Sequence, residues 1–412
     1  MSFDIIEFLK RLVQLDTANY MREVWAETMP TWLSEGIIDL VQILVICTFL
    51  LVVTLGLIWI LRKVVARIQD RVGPNRVGGR FGLLQTVADA MKLLTKEDIT
   101  PAGADKLAFN LAPLIVVIAA LMMWAVIPFA PGAIGTDIDS AVFYVLAISS
   151  VSVVSLLLAG WGSNNKYALL GAFRAVAQLV SYEVPMVMAL IIPVLLAGTM
   201  STQGIVEAQS VWYIVAVPLS ALIFLISALA ELGQTPFDLL EADSEIVAGY
   251  HIEYSGMKFA MFFLAEFINA LFMGALFSTI YLGGWRGPGA EQYPLLGLIY
   301  FLIKTFFMYF VFVWIRGTLP RVRIDQLLNF NWKFLVPITL SLILVIAVAV
   351  KLLPEGTGDW VRAGVLLLIN IGFALVVLEI MRRTARRRRQ EVEASQISSS
   401  RSSLSQAAAG GD

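Results

Sequence analysis

The chain has 412 residues, of which 58 % are hydrophobic and 15 % charged, and its net charge is −1. Soluble domains carry about 25 % charge, so this composition excludes a soluble enzyme, a nucleic-acid binder and a disordered protein; the bilayer is its solvent. A single cysteine, Cys47, and a single histidine, His251, exclude an internal disulfide and a soft-ligand metal centre built by this chain alone.

In chain order, residues 1–36 come first. Ile5, Phe8, Leu9, Leu12 and Val13 share one helical face, while Lys10 and Arg11 interrupt the apolar stretch. With no small-residue cleavage pattern, this is not a secretory signal but an amphipathic segment on the outer surface, with Trp25 and Trp32 suited to the interface. Nine apolar runs follow, at 37–61, 107–128, 140–160, 179–198, 212–231, 258–283, 295–316, 334–353 and 362–381. They are continuous rather than alternating, which predicts spanning helices and not barrel strands. Pro354, Gly356 and Gly358 mark a turn between the last two.

The loops 62–106, 161–178, 232–258, 316–333 and 382–412 hold 23 of the 30 Lys and Arg residues. The positive-inside rule places them in the cytoplasm. The expected fold is therefore all-α: a polytopic transmembrane bundle over 37–381 with about nine spans, N-terminus out and C-terminus in. The last stretch, 382–412, opens with RRTARRRR and continues Ser-, Ala-, Gln- and Gly-rich. That composition predicts a basic disordered tail whose arginines lie against anionic lipid headgroups.

Polar residues, Gly and Pro concentrate in four of the basic loops. In the first, Gly73-Pro74-Asn75 is a turn, Gly78, Gly79 and Gly82 permit close backbone approach, and residues 83–96 are amphipathic, an interfacial helix. Arg62, Arg67 and Arg71 fit topology anchoring as well as a site. The second loop leads into a span with Glu183 near its start and Pro185 and Pro193 within it. A carboxylate beside a proline can meet freed backbone groups or water, or simply snorkel. The third loop holds Glu231, Asp238, Glu241, Asp243, Glu245 and Glu253 between Ala230 and Gly256, with no Lys or Arg. Thr235-Pro236-Phe237-Asp238 reads as a helix start, Thr at N-cap and Pro at N1. Asp238, Glu241 and Glu245 would then share a face. Like charges so close raise one another's pKa, as a proton path requires. Glu266 and Lys304 lie well inside spans; intramembrane charges mark pathways, or here a Glu–Lys bridge between neighbouring helices. In the fourth loop Arg316, Arg321 and Arg323 lie near Asp325 in sequence.

The ordered motifs QDRVGPNRVG (69–78), GLLQ-VADAMKLLTKE (82–97), GWGSNNKYALLGAFRAVAQLVSYE (160–183), TPFDL-EADSEIVAGYHIEYSG (235–256), MFF-AEF (261–267) and RGTLPRVRIDQL (316–327) resemble one family. It is that of the quinone-chamber, H-type membrane subunit of bacterial NADH:quinone oxidoreductase, respiratory complex I. The resemblance covers roughly residues 40–380. It implies a subunit of an H+-translocating enzyme of the bacterial cell membrane, joining the membrane arm to the peripheral arm. Quinone, ubiquinone or menaquinone, is the implied substrate. FMN and iron–sulfur clusters are implied in partner subunits. The implied partners are the peripheral-arm subunits around the quinone site, including the one with the terminal iron–sulfur cluster, small membrane-arm subunits, antiporter-like subunits and membrane lipids.

By the same resemblance, Arg62, Gln69 and Arg71 fall near the chamber entrance and Phe237 and Asp238 on the loop facing the peripheral arm. Glu183, Glu231, Glu266, Glu241, Asp243, Glu245 and Glu253 form a carboxylate funnel, with Arg174, Lys304, Arg316 and Arg323 as basic counterparts. Leu61 stands where many relatives have Glu, and Gln234 where they often have a basic residue. Two other readings remain open at this stage. One is the corresponding subunit of a related complex, such as a membrane-bound hydrogenase, with another donor. The other is a secondary cation transporter, for which no internal repeat is visible.

Overall fold

In the computed structural model, residues 30–239, 249–354 and 358–409 are described, together with Arg11, Met21 and Arg22. The amphipathic segment before residue 30 and the acidic stretch 240–248 lie almost wholly outside them. The described chain is helical, and a β-bridge joins Ala130 and Ala133. We number the helices α1 (Thr31–Ile68), α2 (Gln85–Thr95), α3 (Lys106–Met122), α4 (Ala141–Gly162), α5 (Lys166–Ala197), α6 (Thr202–Ala208) and α7 (Tyr213–Ala216). They continue as α8 (Pro218–Glu231), α9 (Gly256–Tyr281), α10 (Pro294–Thr318), α11 (Ile324–Phe330), α12 (Val336–Leu352) and α13 (Asp359–Ala409). A π-helical turn, Asn331–Leu335, joins α11 to α12.

Eight helical segments are long and apolar enough to cross a membrane. They correspond to eight of the nine runs. The ninth, 212–231, is broken: Pro218 opens α8, and the short α7 precedes it. At about 1.5 Å per residue, the 14 residues of α8 reach only about 21 Å. Pro218 has no N–H with which to continue a helix from α7. α8 nevertheless runs antiparallel to α5. Ser220 Oγ donates to the Ala189 carbonyl (2.9 Å) at one end, and Gln178 Nε2 donates to the Ala230 carbonyl (2.7 Å) at the other.

Pro113, Pro185 and Pro193 sit inside spanning helices, and each turns into a tertiary contact. A proline leaves the carbonyl four residues earlier without its helical donor. Such a group needs another partner away from water. Pro113 frees the Phe109 carbonyl, which accepts from Tyr254 Oη at 3.1 Å. Burial pushes the Tyr254 hydroxyl above the usual phenol range. Pro193 frees the Ala189 carbonyl, taken by Ser220 and by Tyr281 Oη (3.1 Å). Pro185 frees the Ser181 carbonyl, which accepts from Asn331 Nδ2 at 2.5 Å. The breaks in local bonding thus tie α3, α5, α8, α9 and the π turn together.

α2 is the amphipathic helix of the first loop. Leu84, Val87, Met91 and Leu94 are exposed, an apolar stripe that the described residues leave uncovered. Trp59 Nε1 donates to the Phe81 carbonyl (3.0 Å) and Lys63 Nζ to that of Pro74 (2.5 Å), which folds the loop back onto α1. At Gly82 the backbone is left-handed (φ +66°) and any Cβ would strike the Pro74 carbonyl, so glycine is required.

The backbone of 382–409 continues α13 as helix to Ala409. Ala, Arg, Gln and Glu dominate its first half, and these are strong helix formers even without a core to pack on. The helix start expected at Thr235 is instead a turn, closed by Phe237 N–H to the Gln234 carbonyl at 2.9 Å. The carbonyls of Pro236, Phe237 and Asp238 accept from Val322 N–H, Gln178 Nε2 and Arg321 Nε, at 2.9, 2.7 and 2.8 Å. The carbonyls of this stretch are turned toward distant donors, and the local bond it does make, Leu239 N–H to the Phe237 carbonyl (3.0 Å), spans two residues and is not helical. The expected sharing of a face with Glu241 and Glu245 falls outside the described residues.

Candidate functional site

The site is assembled around one and a half turns of α5. Gln178, fully buried, holds the end of α8 and the turn after it. α8 ends at Glu231, and Gly233 just beyond it has the left-handed backbone (φ +61°) that suits a helix end. Tyr182 packs its ring 5.4 Å from that of Phe237 and donates its hydroxyl to the Leu327 carbonyl (3.1 Å). Glu183 accepts from Ser149 Oγ (2.8 Å) and Ser150 Oγ (3.2 Å) of α4. The Pro185-freed carbonyl binds Asn331. So α5 joins α4, α8, the third loop and the fourth loop at one level.

A cavity of about 70 Å³ opens beside this level; Glu231, Asp238, Glu266 and Arg316, with Ser149, Ser152 and Asn269, form its polar wall, and Val116, Met123, Leu156, Leu179 and Phe262 are among its apolar lining. That is room for several water molecules, with polar partners to hold them. Glu266 and Arg316 are paired at 3.3 Å across α9 and α10. Both are largely buried, and the second Glu266 oxygen, like Glu231 Oε2, makes no hydrogen bond within the described chain. Asp238 pairs with Arg321 at 3.4 Å, and Arg321 also grips the Asp238 carbonyl. Three carboxylates and two guanidinium groups thus meet within one small volume. Such charges hold in a poorly solvated interior only when paired or wetted.

The register of α9 against α10 makes the Glu266–Arg316 pair. At Gly274 the two helices touch: a Cβ there would stand 3.0 Å from the Thr305 carbonyl oxygen. Running away from that contact in opposite chain directions, the helices bring 266 level with 316. Lys304 lies toward the other end. It donates to the carbonyls of Leu282 (2.8 Å), Gly284 (2.8 Å) and Arg286 (2.9 Å) and sits 5.1 Å from the centre of the Trp212 ring. The Glu266–Lys304 bridge considered from sequence is not formed, and Lys304 is no neighbour of the cavity.

Other candidates are also set apart. Glu253 accepts from Asn165 Nδ2 (2.7 Å), the residue that caps α5, in a cleft with Trp161 and Lys166. Arg323 pairs with Asp325 at 3.4 Å, and both are exposed. Arg174 is half-buried on α5 and does not line the cavity. Glu241, Asp243 and Glu245 fall outside the described residues. Arg62 pairs with Asp89 of α2 at 2.5 Å. The pair sits in a mainly apolar cavity of about 420 Å³ between α1, α2 and α9, with Leu55, Ile58, Phe259 and Phe263. Gln69 accepts from Arg71 Nε (2.8 Å) on the exposed end of α1, and Phe237 is buried against Tyr182.

Sequence reading left Arg321, Gln178, Asp89 and the serines of α4 out of the site. Arg321 was one of three arginines in a short loop, and only tertiary distance separates it from Arg323. Asp89 carried one signal, as an acid on the polar face of an amphipathic helix.

A family model for NADH dehydrogenase matches residues 41–347. The H subunit of NADH-quinone oxidoreductase from Dehalococcoides mccartyi strain CBDB1 is 46 % identical over 341 residues, 82 % of this chain and 94 % of that protein. The H subunit from Geobacillus kaustophilus is 48 % identical over 329 residues, 80 % of this chain and 98 % of that protein. The H subunit from Bacillus cytotoxicus is 47 % identical over 333 residues, 81 % of this chain and 99 % of that protein. Matches of this extent, falling on the helices that build the cavity, establish that the chain belongs to the NADH dehydrogenase family, the family of the H subunits of NADH-quinone oxidoreductase.

Proposed function

We propose that this chain is the H-type membrane subunit of a proton-translocating NADH:quinone oxidoreductase, and that it forms the quinone entrance chamber and part of the path that couples quinone reduction to proton transport. One observation carries the reading: Glu231, Asp238 and the Glu266–Arg316 pair surround a single cavity inside a bundle of spanning helices. Carboxylates around water in a membrane interior are suited to passing protons. The cavity lies beside the loop held by Gln178 and Arg321, so a change at that loop reaches Asp238 and Glu231 directly.

The apolar cavity between α1, α2 and α9 supports the quinone part of the reading. It is large enough for part of an isoprenoid tail, and its Arg62–Asp89 pair offers a polar end. Quinone takes up electrons derived from NADH, with protons, to become quinol. The flavin and iron–sulfur centres that deliver the electrons belong to partner subunits. The peripheral-arm subunits dock on the loop-rich face, with small and antiporter-like membrane subunits alongside. Glu183 joins the path through Ser149, and Glu241, Asp243, Glu245 and Glu253 extend it toward the loop-rich face, with Arg174 and Arg323 as docking groups. The Lys and Arg distribution supports a cytoplasmic position for that face in a bacterial cell, with α7 and α8 together completing a fifth crossing.

The test is purification of the tagged chain in mild detergent, with identification of its partners and assay of NADH-dependent quinone reduction and of acidification in reconstituted vesicles. Recovery of flavin and iron–sulfur subunits, with quinone reduction driving acidification, is the expected result. Recovery with a hydrogenase or another donor module would keep the coupling argument and move the chemistry; recovery of the chain alone would overturn the reading.

A further inference from the structure

Gln178 has the least ordinary environment of any uncharged polar residue near the cavity. Its side chain is fully buried in the middle of α5. Its amide nitrogen donates to two carbonyls, those of Ala230 and Phe237, each at 2.7 Å. These acceptors belong to different segments: the last turn of α8, and the turn beyond Gly233. Each lies in the residue immediately before a cavity carboxylate, Glu231 in one case and Asp238 in the other. One side chain therefore fixes both peptide units from which those carboxylates spring. Five residues further along the same helix is Glu183, tied to Ser149 of the cavity wall.

We infer that Gln178 is a positioning residue for proton coupling: its amide sets the spacing of Glu231 and Asp238 relative to each other and to Glu183. This rests on the proton path proposed above. The Gln178 amide nitrogen bonds two main-chain carbonyls and no carboxylate, so it acts through those carbonyls. Each carbonyl also accepts a local backbone N–H, Gly233 for Ala230 (3.1 Å) and Leu239 for Phe237 (3.0 Å), so a side chain that cannot donate removes the tie between the two segments rather than every partner of either carbonyl. The segment between them is then free to choose another spacing. Misplacement of working groups by about 1 Å is enough to reduce turnover by orders of magnitude.

The test uses the whole complex in reconstituted vesicles, with Gln178→Leu and Gln178→Glu. Leu removes both donors. Glu keeps the shape and, when protonated, can serve one carbonyl but not both. Quinone reduction and acidification are measured per flavin, so that incomplete assembly is divided out, and the quinone KM is measured alongside kcat. The expected result is a kcat lowered roughly tenfold or more for Leu, an unchanged quinone KM, and fewer protons moved per NADH in both variants. Glu should retain more activity than Leu, and increasingly so as pH falls and it gains its donor. Variants that assemble and match the parent in kcat and protons per NADH would overturn the inference. So would a loss confined to the amount of assembled complex, or failure of both variants to assemble, since Gln178 would then serve folding alone. A parent complex that reduces quinone without acidifying vesicles would instead bring down the proton-path reading itself.

Discussion

Two buried cations at opposite ends of the α9–α10 pair have contrasting surroundings. Arg316 faces a carboxylate, Glu266, beside a cavity that holds two more. Lys304 faces three main-chain carbonyls and the Trp212 ring, and no carboxylate is among those partners. With three carbonyls accepting from its Nζ, Lys304 fastens the 282–286 turn. At the Arg316 end the partner is a carboxylate, which can take up a proton. An ionisable side chain within a membrane span is therefore informative only once its partner is known.

The contrast can be broken by substitution. Arg316→Ala should have the largest effect. It leaves Glu266 buried without its counter-charge, at a cost of about 3–5 kcal/mol. The complex should melt at a clearly lower temperature and stop acidifying vesicles; a variant with parental melting and pumping would mean that the pair carries neither role. Lys304→Met should come next. Carbonyls that lose a buried donor cost about 1–3 kcal/mol, so melting should fall while protons moved per NADH hold steady. A change in that ratio would place Lys304 in the proton path after all.

Asp238→Asn should cost stability less, about 1 kcal/mol or below, because Arg321 keeps its bonds to the Asp238 carbonyl. Its effect should be on coupling: quinone reduction with diminished acidification, measured in the same vesicles. Arg323→Ala should do least. Its pair with Asp325 is exposed on both sides, so the change should stay within about 0.5 kcal/mol. Loss of partner subunits from the purified complex on this substitution would reveal a docking role instead.

Much of this was legible in the sequence. Eight of the nine apolar runs are helices of spanning length, because continuous hydrophobicity over about 20 residues has few other uses. Glu231, Asp238 and Glu266 were all singled out as acids that an apolar or basic setting does not explain, and they meet at one cavity. The Glu266 partner was not legible. It depends on the register set where Gly274 meets Thr305, which no spacing along either helix encodes. The turn at Thr235 was misread because its capping pattern is local, whereas Val322, Gln178 and Arg321, which take its carbonyls, are distant in sequence. Pro218 was visible in the fifth run, but hydropathy alone passes over a residue whose effect is on hydrogen bonding.

The short α8 has a consequence for biosynthesis. Fourteen residues make a weak signal for insertion, since a stretch of that length does not bridge the hydrocarbon by itself. α5, its antiparallel neighbour, is long and is translated first. Docking against α5, through Ser220 and Gln178, gives α8 the polar partners that lipid cannot supply. Packing of α8 therefore waits on a helix already in place, and chains interrupted before α8 closes on α5 are the ones that membrane quality control should recognise.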